Sequence, residues 1–237
     1  MQNVLITGGS RGIGAACVQL FAQNGFRVFF TYRQSHAQAE ALAKKTGALA
    51  LQADAAHIDT PTRILDTIHA FGPTHILVNN AGIAQQKLFS DITEADWDRM
   101  FDVNIKSMFR LTQAVLPDMI HQKQGRIINL SSIWGQVGAS CEVHYSAAKA
   151  AVIGFTKALA KELGPSGITV NCVAPGLVDT DMNAGLSEDE AAAVAAEIPL
   201  GRAGTPAEIA RTIFFLAQPK SGYITGQVLA PNGGWEI

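Results

Sequence analysis

Val4-Leu5-Ile6-Thr7-Gly8-Gly9-Ser10-Arg11-Gly12-Ile13-Gly14 is the stretch on which the fold turns. An apolar run of strand type enters a glycine-rich turn, and the turn opens a segment whose apolar residues Cys17, Val18 and Phe21 recur at helical spacing. Such a junction lets backbone N–H groups approach an anion at a helix N-terminus. The spacing is Gly8-x3-Gly12-x-Gly14, which departs from the G-x-G-x-x-G of the familiar dinucleotide turn. Glycine alone therefore leaves an ordinary tight turn open as a reading.

Outward from this junction the same rhythm repeats. Strands are expected at Val4 to Thr7, Arg27 to Thr31, Ala48 to Ala53, His75 to Asn79, Arg126 to Ser131, Ile168 to Val173 and Gln227 to Ala230, with helix-length segments between them. Runs such as Ile76-Leu77-Val78 and Ile127-Ile128 are continuously apolar, as parallel strands covered on both faces should be. The expectation is α/β: a single-domain, Rossmann-type, doubly wound and mainly parallel sheet with helices on both faces. No linker or repeat beyond the βαβ rhythm divides the 237 residues. We read one domain over 1–237, with a cofactor half at about 1–125, a catalytic and substrate half at about 126–237 and a lid at about 176–200. Pro175 to Leu200 is the only long irregular region expected. Within it, Ser187-Glu188-Asp189-Glu190 has capping-box spacing for a short mobile helix, and Thr205-Pro206-Ala207-Glu208 repeats the signal for the next helix.

Composition narrows the function. Apolar residues make up 48%, charged residues 16%, and the formal net charge is -2, so no basic run invites nucleic acid or an anionic membrane surface. Three scattered cysteines, Cys17, Cys141 and Cys172, give neither a disulfide framework nor a zinc cluster, and no metal is expected. The first residues lack a signal-peptide pattern, which gives a cytoplasmic expectation with reduced thiols. Small-molecule chemistry is the remaining default.

Further motifs follow the glycine turn in order: Asn79-Asn80-Ala81-Gly82, Asn104, Ser132, Tyr145-x3-Lys149 and Pro175-Gly176. Together they resemble the short-chain dehydrogenases/reductases over nearly the whole chain. That resemblance implies a nicotinamide cofactor bordered by Gly8, Ser10, Arg11, Gly12, Ile13, Gly14, Asn80, Ala81, Gly82, Tyr145, Lys149, Pro175, Gly176, Val178 and Thr180, with Asp54 at the adenine amino group. Asp54 also reads as a turn former. The second strand ends in Thr31-Tyr32-Arg33 with no carboxylate for ribose hydroxyls, whereas Arg11 and Arg33 suit a 2′-phosphate, so NADP(H) is favoured.

The resemblance also assigns a catalytic tetrad of Asn104, Ser132, Tyr145 and Lys149. A helix beginning near Val143 puts Tyr145 and Lys149 on one face. A phenol ordinarily titrates near ~10, and a neighbouring ammonium together with the positive nicotinamide ring is expected to favour the phenolate. Tyr145 would give a proton to the carbonyl oxygen of a ketone, Ser132 would hydrogen-bond the same oxygen, Lys149 would hold the nicotinamide ribose, and Asn104 would anchor a connecting water. Met108, Phe109, Leu111 and Val115 are read as helix packing. A homotetramer is implied by resemblance.

The whole chain resembles bacterial 3-oxoacyl-[acyl-carrier-protein] reductases. Those enzymes present basic residues near the active-site entrance to the carrier; Lys123 fits one such place, but Ser166 stands where an arginine is expected. The segment from Ser131 to Tyr145 more closely resembles the branch that reduces the 5-aminopentanone group on a modified lysine of elongation factor P. Glu142, a carboxylate three residues before Tyr145, would complement that substrate's amine, though an acid at a helix N-terminus needs no substrate to explain it. Trp134 is a second candidate substrate contact, with core or subunit packing as the other reading. An NADP(H)-binding regulator without turnover is the remaining alternative, and the intact tetrad speaks against it.

Overall fold

The computed structural model describes residues 1–183 and 188–236. Seven strands, β1 (Asn3–Ile6), β2 (Arg27–Tyr32), β3 (Leu49–Gln52), β4 (Thr74–Asn79), β5 (Gly125–Leu130), β6 (Ile168–Val173) and β7 (Val228–Leu229), form one sheet. Every pairing is parallel, and the order is β3-β2-β1-β4-β5-β6-β7. Order reverses between β1 and β4, so their carboxyl ends diverge and open a crevice there.

Side chains alternate across the pleat, so each strand feeds two cores. Val4, Ile6, Phe30, Val78 and Ile128 pack against helix α1 (Gly12–Gln23), through Cys17, Val18 and Phe21, and against α9 (Pro206–Ala217). Leu5, Phe29, Leu77, Ile127 and Val170 pack on the opposite face against α3 (Thr60–His69), α5 (Ser107–Gln122) and α7 (Val143–Leu163). The remaining helices are α2 (His36–Thr46), α4 (Glu94–Phe101), the single turn α6 (Trp134–Val137) and α8 (Glu188–Glu197). Thr205 and Glu208 close the expected capping box at the start of α9.

Several expectations need correction. Most strand ends shift by a residue, because hydrogen bonding stops where the chain bends into its loops. A second long irregular stretch covers 80–88, where the chain must cross the crevice rather than return along the sheet. Phe109 is 47% exposed, since its neighbours Met108, Leu111 and Val115 already fill the face towards the sheet. The helix start expected at Ser187 lies outside the described residues.

A buried polar ladder, unannounced by the apolar pattern, crosses the second core. Asn79 Nδ2 donates to Thr112 Oγ1 (3.1 Å) on α5 and to Asn129 Oδ1 (2.8 Å) on β5. Asn129 Nδ2 then donates to Thr156 Oγ1 (2.9 Å) on α7. These bonds fix the two helices against neighbouring strands in a medium where an unpaired amide is costly. Asn129→Leu should therefore lower stability by about 2–3 kcal/mol. Urea denaturation of the variant would show it, and an unchanged midpoint would remove the ladder from the forces that seat α5 and α7.

Candidate active site

The nucleotide end is built by two turns that interlock. Thr7 Oγ1 accepts from the backbone N–H of Asn80 and of Ala81, both at 2.9 Å, while Asn80 Nδ2 returns to the carbonyls of Thr7 (2.9 Å) and Gly8 (3.0 Å). Gly8 and Gly12 have φ of +64° and +53°, in the left-handed region. A Cβ on Gly14 would collide with the Gly8 carbonyl oxygen and lie 2.7 Å from Asn80 Nδ2. Side chains are thus excluded where the turn closes on itself. Helix α1 starts with neither a side-chain cap nor an acid in its first turn, which leaves its N-terminal N–H groups and its dipole for an anion.

Other expected cofactor contacts surround this cradle. Ser10 lies in the turn, and Ile13 is half-buried against the first core. Thr180 lies over the turn, its Cγ2 being 3.3 Å from where a Gly12 Cβ would stand. Val178 is buried and bridges Gly204; Pro175 accepts from Ile133 N (2.9 Å), and Gly176 abuts Asn232. Arg33 and Arg11 flank the far side, both substantially exposed; their nearest acids are Asp54 at 3.9 Å and Asp181 at 3.5 Å. Asp54 also makes the turn its type suggested, accepting from Ala56 N (3.0 Å). The glycine cradle and the acid-free end of β2 fit a dinucleotide with a phosphorylated ribose.

At the reacting end, α7 carries Tyr145 and Lys149 on one face, Lys149 Nζ being 5.6 Å from the phenol ring centroid. Lys149 Nζ donates to the Leu130 carbonyl (2.9 Å), and Ser131 Oγ donates to the Lys149 carbonyl (2.7 Å). Gly135 presses on that carbonyl so closely that a Cβ there would lie 2.6 Å from Lys149 C. Ser132 lies close enough to the Tyr145 phenol to favour its ionised form. Gly82 stands between Asn104 and Lys149; its Cβ would lie 2.6 Å from Asn104 Oδ1 and 3.4 Å from Lys149 Nζ.

Asn104 sits in a π-helical turn, Asp102–Lys106, between α4 and α5. Its amide is consumed by the chain: Oδ1 accepts from Ile83 N (3.2 Å), and Nδ2 donates to the carbonyls of Ile83 and Met100, both at 3.0 Å. The side chain thus holds the irregular 80–88 stretch in place.

Burial governs protonation in the chain without cofactor. Burial pushes Tyr145 up to about 12, with Ser132 lowering it and Glu142 raising it, and the Lys149 ammonium does not offset the desolvation. Burial also pushes Lys149 down to about 8. In the chain alone the phenol is therefore held as a proton donor rather than as phenolate.

Substrate-side residues also resolve. Trp134 is half-buried against Met100, Tyr145 and Ala148. Glu142 is the N-terminal flanking residue of α7 and makes no capping hydrogen bond; burial raises its pKa. Lys123 and Ser166 adjoin the amino ends of β5 and β6, whereas Ser132 and Tyr145 adjoin the carboxyl ends. A six-residue strand spans about 20 Å, so within one chain this pair does not border the entrance, contrary to expectation.

His144, missed in the sequence, is fully buried beside Tyr145. Gln85 Nε2 donates to Asp96 Oδ1 (3.1 Å), so Gln85 Oε1 is the acceptor for His144 Nε2 (2.9 Å), and the imidazole carries its proton there. Desolvation lowers its pKa and keeps it neutral. Only its lack of an apolar reason to be buried could have flagged it.

The profile of the family described as Enoyl-(Acyl carrier protein) reductase matches residues 8–236. A mutant of a Serratia marcescens short-chain dehydrogenase/reductase superposes with a TM-score of 0.92 at 36% identity, covering 100% of this chain and 98% of that one. The chain belongs to the short-chain dehydrogenase/reductase family. Within this family, it is 43% identical over 237 residues to the 3-oxoacyl-[acyl-carrier-protein] reductase of Vibrio cholerae serotype O1, covering 97% of this chain and 95% of that protein. It is 42% identical over 239 residues to the enzyme of the same name from Staphylococcus aureus strain Mu50, covering 98% and 97%. As a short-chain dehydrogenase/reductase, this protein is an oxidoreductase. Among its described residues no helix is long and apolar enough to cross a membrane.

Because burial raises Tyr145 from an ordinary 10 to about 12, its phenol should stay protonated through pH 10. An ultraviolet difference spectrum between the parent and Tyr145→Phe at that pH is expected to show no phenolate from this residue. A full phenolate band would refute the burial argument.

Proposed function

We propose that the protein is an NADPH-dependent ketone reductase in which Asn104, Ser132, Tyr145 and Lys149 act together, with Tyr145 as the proton donor. The observation that carries this is the buried Tyr145, with Ser132 beside it and Lys149 backing it from the next turn of α7. The reduced nicotinamide, when bound, supplies a hydride to the carbonyl carbon. Tyr145 gives its proton to the oxygen as charge develops there, and Ser132 donates a hydrogen bond to the same atom. Lys149 keeps a positive charge close by below about pH 8, and Asn104 keeps the segment after Gly82 in register with it. We read Gly8 to Gly14, Asn80 to Gly82, and Pro175 to Thr180 as the cofactor's cradle, with Arg33 and Arg11 on the 2′-phosphate.

The relatives' names support a 3-oxoacyl thioester on acyl carrier protein as the substrate. A second reading, the 5-aminopentanone group on a modified lysine of elongation factor P, is favoured by Glu142. Its half-buried carboxylate close to Tyr145 has no capping duty and suits a cationic amine.

NADPH oxidation by the purified protein should be compared with an acetoacetyl thioester and with aminopentanone-modified elongation factor P at equal concentrations. Turnover of the thioester supports the first substrate; reduction of the modified factor with little thioester activity supports the second. On either, Tyr145→Phe should lower kcat by about 10²–10⁴-fold, and a variant with full activity would displace Tyr145 as donor.

Cofactor choice has its own test. Arg33→Asp should raise KM for NADPH about 10–100-fold, as expected for loss of a charge-assisted contact, while KM for NADH stays level or falls. An unchanged NADPH to NADH ratio would show that Arg33 does not read the 2′-phosphate.

A further inference from the structure

A second indole lies beside the reacting groups. Trp235 meets Trp134 edge to face, with ring centroids 5.0 Å apart and planes at 67°. Trp134 adjoins the reacting centre: its backbone N–H donates to Ser132 Oγ (3.2 Å), and its indole packs on Tyr145 and Met100. Trp235 is therefore one contact away from the proton donor, although 90 residues separate it from Tyr145 in sequence.

The segment that carries Trp235 is fixed from several sides. Asn232, only 8% exposed, accepts from Gly234 N (2.9 Å) through Oδ1 and donates to the Glu236 carbonyl (2.6 Å) through Nδ2. Gly233 and Gly234 have φ of +72° and +86°, which lets the chain double back. The Gly233 carbonyl accepts from Leu200 N (3.2 Å), where the lid segment ends, and Gly176 packs directly on Asn232. This placement does not serve the core, since both indoles remain only half-buried. Two large apolar rings thus meet at 67° beside Ser132 and Tyr145, with uncovered surface and with the exposed side chain of Leu200 nearby.

We propose that Trp235 is a specificity-determining residue: with Trp134 it forms an indole corner that takes the apolar arm of the ketone while Tyr145 and Ser132 hold the carbonyl oxygen. The inference rests on the ketone-reductase reading and adds to it the chemistry of the substrate's far side, a straight hydrocarbon chain next to the carbonyl. Each methylene laid against the corner leaves water, so kcat/KM should rise with chain length up to the reach of the rings. Rigid indoles provide that surface with little ordering cost.

The test uses the intact protein with NADPH and a series of methyl 3-oxo esters of increasing chain length, comparing parent, Trp235→Ala and Trp235→Phe. The parent should gain about 3- to 4-fold in kcat/KM per added methylene over the first few. Trp235→Ala should flatten this gradient, losing about 10-fold or more on the longest ester and less than about 3-fold on the shortest, with Trp235→Phe intermediate. An equal loss at every length would mean that Trp235 only supports the fold, and no loss would remove it from the site. A parent that reduces the esters without regard to length overturns the corner alone. A parent that oxidises NADPH with none of these esters, nor with the acetoacetyl thioester or the modified elongation factor P, overturns the reductase reading itself.

Discussion

A buried ammonium resting on a strand carbonyl is the constraint around which the site is arranged. Lys149 has almost no contact with water, and its bond to the Leu130 carbonyl anchors α7 at the carboxyl end of β5. Ser131 returns the bond to the Lys149 carbonyl, and Gly135 supplies the flat contact that a side chain would prevent. Ser132, the residue after Ser131, is brought close to Tyr145. The same knot sets the electrostatics, because the burial that holds Lys149 in place also lowers its affinity for a proton.

Tyr145 shows the complement of that effect. Taken out of water, a phenol resists ionisation, so Tyr145 keeps its proton until an oxygen more basic than its own, such as a developing alkoxide, lies beside it. His144, next to Tyr145 in sequence, is kept neutral by burial, its tautomer dictated by the Gln85 amide that Asp96 has oriented.

Much of this was legible in the sequence, for reasons that differ from residue to residue. The strand-turn-helix at Thr7 to Gly14 is a backbone device, and glycines report backbone requirements directly. The continuous apolar runs reported a sheet covered on both faces because burial on both sides leaves little room for polar residues. The ladder through Asn79, Asn129 and Thr156 was not legible, since polar residues inside apolar strands declare their partners only once strands and helices are assembled. Lys123 and Ser166 were misplaced because a motif gives order along the chain, not which rim of a sheet a loop occupies. The desolvation that raises the Tyr145 pKa in the chain alone was not legible, because charge proximity is readable from spacing whereas burial is not.

The π-helical turn at Asp102–Lys106 has a consequence for how such a site can arise. One extra residue in a helix advances everything downstream by about 100°. Helix α5 nevertheless keeps Met108, Leu111, Val115 and Met119 against the sheet, so its register already absorbs the extra residue. An uninterrupted helix through this region would force a choice between turning Asn104 away from Lys149 and rolling that apolar stripe into solvent. The widened turn is the local geometric defect that lets a packing helix and a site-bearing helix share one continuous rod.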